Sequence, residues 1–327
     1  MTRDKRNVFA PHPLLRQTVA RLLFAAPVVS AIACSGEEPG GCIPYDAYEG
    51  RYDTRDRLPD GGPPTSADCM LVCQRVGAHR CQASPPPTMP TDGGKPLEPH
   101  TSCYFDVAAG CTGDGRRPEG LQATRAEARC ALGTHFARMA WLEAASVPAF
   151  LRLAEELKAH GAPRELIRAA RRSAGEEVRH ARAASVLARR HGATVPEVEV
   201  APFSARSLEA LLVENAKEGC VGETHGALVA GWQARTARDA RVREALSRIA
   251  EEELRHAELS WAVDAWATGR LTPEARQRVR EARLAAFNEL EHRVASEEPE
   301  AMLVQQAGLP SRDAALHLLR GLQVLIA

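Results

Sequence analysis

The most constraining feature of the sequence is a short phrase that occurs twice. The pattern Glu-Glu-x-Arg-His-Ala occupies residues 176–181 and again residues 252–257. In each copy the second glutamate and the histidine are three residues apart, so on a helix their side chains point to the same side. A carboxylate and an imidazole at this spacing can bind one metal ion together. Two such pairs therefore predict a site for two metal ions.

Both pairs lie in the middle of predicted apolar stripes. Leucine, isoleucine, valine and alanine recur with helical spacing on either side of each copy. A carboxylate and an imidazole in a protein core are costly unless they are paired or bind a cation. The pairs that need such compensation are Glu177 with His180 and Glu253 with His256.

The alternative to metal binding is a set of buried ion pairs. In that interpretation Arg179 and Arg255 turn inward and neutralise the carboxylates without any metal. On a helix each arginine lies about 100° or 200° around the axis from the members of its pair. This angle favours arginines that flank the site over arginines that fill it.

The chain from about residue 122 onward is predicted to be almost wholly helical. We expect helices at about 122–160, from there to about 190, at about 205–237 and at about 240–268. The first two and the last two are joined by short connections, whereas residues 191–204 are long enough to cross the height of a bundle. The predicted fold class is all-α, with a four-helix bundle and one long crossover.

The first and third predicted helices supply further carboxylates. Glu143 lies at the edge of the first apolar stripe, at a spacing from Glu177 that suits an antiparallel hairpin. The third helix offers Glu223, which small residues surround, and Glu218, which shares a face with larger apolar residues. We favour Glu223 as the ligand and keep Glu218 as the alternative.

These residues resemble the ligand set of the ferritin-like di-iron carboxylate superfamily over about residues 122–268. Segments 142–147 and 218–224 further resemble an exported bacterial ferritin-like group. The resemblance implies two iron ions bridged by carboxylates, with O2 or peroxide as partner. Mixed oxygen and nitrogen ligands suit iron or manganese, and zinc is a further alternative. The expected metal ligands are Glu143, Glu177, His180, Glu223, Glu253 and His256.

Residues 1–34 have the pattern of an export signal. Basic residues precede an uncharged run at 22–33, which is shorter than the about 20 residues that a bilayer requires. The small residues at 31–33 fit ordinary signal cleavage, while Cys34 also fits a lipoprotein signal, so secretion and a membrane-attached lipid on Cys34 are both kept. We expect the periplasm, outer membrane or surface of a bacterium.

Residues 35–121 form a Cys-rich and Pro/Gly-rich segment. Clusters of proline and glycine predict irregular structure there. Disulfides persist in oxidising compartments, so the cysteines support export and predict a disulfide-stapled segment of undetermined pairing. The six cysteines are Cys42, Cys69, Cys73, Cys81, Cys103 and Cys111.

Other features of the sequence define the domain bounds and exclude some classes of function. A bundle at 122–270 is followed by accessory helices within 271–327, at about 272–295 and 312–326. The zero net charge and the lack of a basic tract argue against a nucleic-acid partner. No tyrosine follows Tyr104 and no Cys-x2-Cys pair accompanies the bundle, which argues against a tyrosyl radical and a rubredoxin-like iron.

The leading functional prediction is an exported di-iron or di-metal protein. It would react with O2 or peroxide as an oxidase or peroxidase, supplied by an electron donor that the sequence does not identify. The alternatives are a surface protein that sequesters metal without catalysis, and a structural bundle with buried ion pairs. A dimer is kept as a candidate oligomeric state.

Overall fold

The computed structural model describes residues 14–25, 49–54, 57–58, 62–65, 67–73, 80–83, 101–106, 116–122 and 128–326. The chain divides into two compact units, one formed by residues 1–45 and 111–327 and the other by residues 46–110. The larger unit is mostly helical, which confirms the predicted all-α class for the main part of the chain. The regular elements in chain order are α1 (Leu15–Ala25), β1 (Glu49–Thr54), α2 (Met70–Cys73), β2 (Arg80–Ala83), β3 (Thr101–Asp106), α3 (Ala131–Ala159), α4 (Arg164–Arg190), α5 (Leu208–Glu214), a π-helical segment (Asn215–Glu223), α6 (Thr224–Thr236), α7 (Ala240–Thr268), α8 (Pro273–Ser296), a second π-helical turn (Leu303–Ala307) and α9 (Arg312–Ile326).

The smaller unit contains a three-stranded antiparallel sheet in the order β1-β3-β2. A disulfide joins Cys69 to Cys81, and Cys73 is also disulfide-bonded. The prediction of an irregular segment is therefore wrong for these strands. They are short and lack apolar alternation, so strand pairing and the disulfide define them and periodicity does not. Cys34, Cys42 and Cys111 lie outside the described residues.

Helix ends in the larger unit follow local signals in the sequence. Between α3 and α4, Gly161 adopts a positive φ of 67°, a conformation that glycine takes without strain. The Asp239 carboxylate accepts hydrogen bonds from the first backbone N–H groups of α7, and the Ser207 hydroxyl does the same for α5. Gly161 and Asp239 lie at the turns of two tight hairpins, α3 with α4 and α6 with α7.

One predicted boundary is wrong. The first helix of the bundle was expected from about residue 122, but it begins at Ala131, and residues 128–130 are not helical. Cys130, the residue before the helix, has an extended backbone and takes part in a disulfide. The helix predicted at 240–268 matches α7.

Packing places a polar layer between two apolar clusters. Helix α3 packs along α4, α6 packs along α7, and α4 contacts α7. One apolar cluster includes Phe136, Leu187 and Leu246, and another includes Phe150, Leu166 and Leu259. In α3, α4 and α7 the candidate metal-site residues lie between the members of these two clusters along the helix. The apolar clusters therefore enclose the site from both ends.

Helix α1 lies within the predicted export signal and packs against α6 and α9. Leu15 and Val19 are buried, and the Arg16 guanidinium pairs with the Glu258 carboxylate of α7. Among the described residues, no helix combines the length and the apolar character needed to cross a membrane.

Candidate metal centre

The structure brings together all six residues that the sequence predicted as metal ligands. One comes from α3, two from α4, one from the last position of the π-helical segment, and two from α7. Every one of them is buried. The six residues are Glu143, Glu177, His180, Glu223, Glu253 and His256.

Within this cluster, two groups of four residues can each hold a metal ion. In both groups the ligand atoms lie within 4.8 Å of one another. Glu177 and Glu253 belong to both groups, because each has two carboxylate oxygens. One group is completed by Glu143 with His180, and the other by Glu223 with His256. Two shared carboxylates between two four-residue groups are the arrangement expected of a pair of adjacent ions.

The atoms that face the centre of the cluster have no hydrogen-bond partner in the described part of the chain. Nδ1 of His180 lies 3.0 Å from an oxygen of Glu253, and Nδ1 of His256 lies 3.0 Å from an oxygen of Glu177, but neither contact has the geometry of a hydrogen bond. Buried polar atoms without partners are rare and require an explanation. The unpartnered atoms are Oε2 of Glu143, both oxygens of Glu177, Nδ1 of His180, Oε2 of Glu223, both oxygens of Glu253 and Nδ1 of His256.

The outer ring nitrogens of the histidines are bonded to carboxylates. Nε2 of His180 lies 2.8 Å from Oε2 of Glu252, and Nε2 of His256 lies 2.9 Å from Oε2 of Glu176. When the ring is neutral, a carboxylate at this position favours the proton on Nε2 and leaves the lone pair on Nδ1. Both imidazoles are thereby oriented to bind a metal through Nδ1.

The arginines of the repeated phrase support these carboxylates from outside. The Arg179 guanidinium donates to Oε1 of Glu252 at 2.8 Å, and that of Arg255 donates to Oε1 of Glu176 at 2.9 Å. Each copy of the phrase therefore supports the histidine of the other copy. The arginines flank the centre, so the interpretation in which they fill it is wrong.

Sequence reasoning did not assign Glu176 and Glu252 a role. The signal was present, because each is the first glutamate of the repeated phrase. The role of each glutamate depends on the residue that it contacts on the neighbouring helix, and that residue is distant in sequence.

The alternative ligand Glu218 lies apart from the cluster. Its carboxylate accepts a hydrogen bond from the backbone N–H of Arg117 at 3.3 Å.

When no metal ion is bound, burial and the neighbouring charges shift the pKa values of the four glutamates. Burial, together with the charge of Glu177, raises the pKa of Glu143 well above its usual value, and burial with the charge of Glu253 does the same for Glu223. Burial opposes charge on Glu177 and Glu253, but the adjacent histidines lower the pKa of both carboxyls. Burial and mutual repulsion therefore favour protons on Glu143 and Glu223 when no metal ion is bound.

The histidines share this balance. Burial disfavours their charged forms, yet the surrounding carboxylates outweigh burial and raise the pKa of His180 and of His256 far above the ordinary value. Four carboxylates and two imidazoles could instead be balanced by two divalent cations, which would replace those protons. The residues present thus fit a di-metal group.

Comparisons with known proteins give no family for this chain. No family model, no curated protein and no solved structure matches it. The interpretation of the site therefore depends on its own geometry.

Proposed function

We propose that the chain is an exported, ferritin-like di-metal carboxylate protein. Its bound metal would be a pair of iron ions, with manganese or zinc as alternatives. The observation that carries the proposal is the pair of four-residue groups that share Glu177 and Glu253. The packing of the two helical hairpins supports the ferritin-like assignment, because residues 191–207 connect α4 to α5 as the long crossover of such a bundle would.

The protein groups of the centre have distinct tasks. Glu176 and Glu252 orient the two histidines and fix the ring nitrogen that carries the proton. The apolar clusters on either side exclude water and strengthen electrostatic interactions within the centre. A bound iron pair would supply redox and Lewis-acid chemistry there.

The proposed reaction uses O2 or peroxide and an external electron donor, as in an oxidase or peroxidase. Tyr104 is the last tyrosine of the chain, and the described residues contain a single free cysteine, Cys220, which is buried. Burial raises the pKa of its thiol, which makes Cys220 a poor nucleophile or redox group. Electrons for turnover would therefore come from a separate donor.

Metal sequestration without turnover is the second candidate function. The deep burial of the ligands favours it, since tight and slow exchange of metal is what a storage site requires. The structural bundle with buried ion pairs has less support, because Arg179 and Arg255 pair with Glu252 and Glu176 outside the cluster.

Export is part of the proposal. The Cys69–Cys81 disulfide is compatible with an oxidising compartment. Secretion after cleavage near residue 33 and membrane attachment through a lipid on Cys34 are both consistent with it.

Anaerobic loading with Fe(II), followed by addition of peroxide or O2, tests the proposed reaction. We expect consumption of oxidant at least about tenfold faster than with the same concentration of free Fe(II), and a ferric absorption band. Glu177→Ala should abolish both, whereas the control Glu244→Ala, an exposed glutamate of α7 whose carboxylate pairs with Arg248, should not. Tight binding with no acceleration would replace the oxidase or peroxidase with sequestration.

A further inference from the structure

Arg116 is a buried arginine that the sequence does not single out. It lies ahead of α3, in the same compact unit as the candidate metal centre, and its side chain is fully buried. A buried guanidinium is costly unless polar or charged groups hold it. The groups that contact the guanidinium therefore indicate the role of Arg116.

The guanidinium is anchored beside the metal centre by groups that are not metal ligands. One terminal nitrogen donates to Oδ1 of Asn215 at 2.6 Å and to Oγ of Ser260 at 3.4 Å. The other terminal nitrogen lies 3.7 Å from a carboxylate oxygen of Glu214. The ring of Phe150 packs against it, with 5.5 Å between the guanidinium carbon and the ring centre. These contacts tie the side chain to α3, α5, the π-helical segment and α7.

Gly219 leaves the space that the guanidinium occupies. A Cβ at this position would lie 2.5 Å from the terminal nitrogen of Arg116 and 2.6 Å from Oγ of Ser260. Glycine is otherwise unfavourable inside a helix. The absence of a side chain at Gly219 therefore leaves room for the Arg116 guanidinium beside the π-helical segment.

The backbone of Arg116 contacts a metal-site carboxylate. Its N–H donates to Oε1 of Glu223 at 3.1 Å, while its carbonyl accepts a hydrogen bond from the Ser146 hydroxyl at 3.0 Å. The other oxygen of Glu223 is one of the unpartnered buried atoms and lies 3.9 Å from Nδ1 of His256. One oxygen of Glu223 is therefore fixed by a peptide group, and the other faces the metal position.

Glu143, the corresponding glutamate of the other group, is held differently. In the described ranges Oε2 of Glu143 has no hydrogen-bond partner, and Nδ1 of His180 lies 3.4 Å from it. The two candidate metal positions consequently differ in the support of their unshared glutamate.

We propose that Arg116 is a positioning residue for the metal position of Glu223 and His256, with no part in the position of Glu143 and His180. The inference rests on the proposed di-metal function. The anchored guanidinium holds the peptide whose N–H orients Glu223. Without the anchor, Glu223 turns away from one ion, while the shared carboxylates and His180 continue to bind the other.

Co(II) binding to the metal-free full chain tests this inference. The variants are Arg116→Ala and Gly219→Ala, whose Cβ displaces the guanidinium without removing it. Arg152→Ala is the matched control, because Arg152 holds the same stretch of chain from outside by donating to the carbonyls of Glu119 and Ala201. Equilibrium dialysis with elemental analysis gives the number of ions and their affinities, and Co(II) absorption reports their coordination.

Wild type and Arg152→Ala should bind two Co(II) ions per chain. Arg116→Ala and Gly219→Ala should bind one ion with an affinity within about twofold of wild type and the second at least about tenfold more weakly, the size typical of losing support around a ligand. Loss of both ions, or two ions with unchanged affinity, in both variants overturns the proposal. A wild-type chain without transition-metal binding instead removes the di-metal function itself.

Histidine variants assign the weakened ion to its position. In His256→Ala the Glu223 position is already lost, so adding Arg116→Ala should change the affinity for the remaining ion by less than about twofold. In His180→Ala the same addition should weaken the remaining ion at least about tenfold. Equal weakening in the two backgrounds contradicts the assignment.

Discussion

The two halves of the candidate metal centre use the same kinds of residue but lie at different depths. We define the outer half as Glu143, His180 and Glu252, and the inner half as Glu223, His256 and Glu176. The Glu252 side chain is 19 % exposed, whereas that of Glu176 is 5 % exposed. The inner half is thus the better shielded from water.

The repeated phrase explains the likeness of the halves and not their difference. Glu176 meets His256 while His180 meets Glu252, so α4 and α7 run in opposite directions and each copy completes the other. One difference lies in the surrounding structure, since the backbone N–H of Arg116 donates to Glu223 of the inner half and its side chain contacts Asn215 of the π-helical segment. Equal motifs therefore do not ensure equal metal positions.

The largest expected effect comes from the carboxylates that both halves share. Glu177→Ala or Glu253→Ala removes a ligand of both positions, so each variant should lose at least half of the bound metal, and complete loss is expected if neither ion persists alone. Elemental analysis per chain after loading measures this, with Glu244→Ala as the surface control. Full stoichiometry in either variant would show that its carboxylate is not a ligand.

Lowering the pH should release metal from both halves. The pKa values of Glu143, Glu223, His180 and His256 are raised in the metal-free centre, so protons compete with a metal ion for these groups. Affinity should therefore fall by at least about tenfold for each pH unit of acidification.

The single-position variants sharpen this test. His180→Ala and His256→Ala should each keep one ion, and both remaining ions should bind more weakly as the pH falls. Titration with a pH indicator dye measures the released protons. If the affinity for the remaining ion does not vary with pH in one of these variants, the ligands of the half that still binds metal are already deprotonated.

The narrowest comparison between the halves uses the carboxylates that bond to the outer nitrogens of the histidines. Glu176→Gln and Glu252→Gln each replace a charged acceptor, and loss of such support typically costs about 10- to 100-fold in metal affinity. Glu176→Gln should cost more, because burial in lower dielectric strengthens its pairing with His256 and Arg255. Although burial opposes its charge, these partners lower the pKa of Glu176 to about 2.

Dissociation constants for Co(II) measure the two glutamine variants side by side. Glu251→Gln, at an exposed position next to Glu252, is the matched control and should leave both constants unchanged. A larger loss in Glu252→Gln than in Glu176→Gln would break the distinction between outer and inner halves.

The sequence predicted those parts that repeat or alternate. Helical spacing of apolar residues identified the four segments around the centre, and the motif repeat with Glu143 and Glu223 identified the six clustered residues. These signals work because burial of one helix face imposes a period on the sequence. The start of α3 at Ala131 was missed, since the extended backbone of Cys130 is not marked by a change in the apolar periodicity.

Residues that act through contacts distant in sequence were not predictable. Glu176 and Glu252 resemble ordinary charged surface positions until the neighbouring helix is in place. Arg116 lies in a stretch without periodicity, and its space depends on Gly219 more than a hundred residues away. The sheet of the smaller unit was missed for the same reason, because its pairing joins β1 to β3 across the intervening chain.

Anomalous diffraction from crystals of the iron-loaded protein tests the central claim most directly. We predict two iron peaks per chain, about 3.5–4 Å apart, between the carboxylates of Glu177 and Glu253. A single peak, peaks elsewhere in the molecule, or no peak after anaerobic loading would contradict a shared di-metal centre.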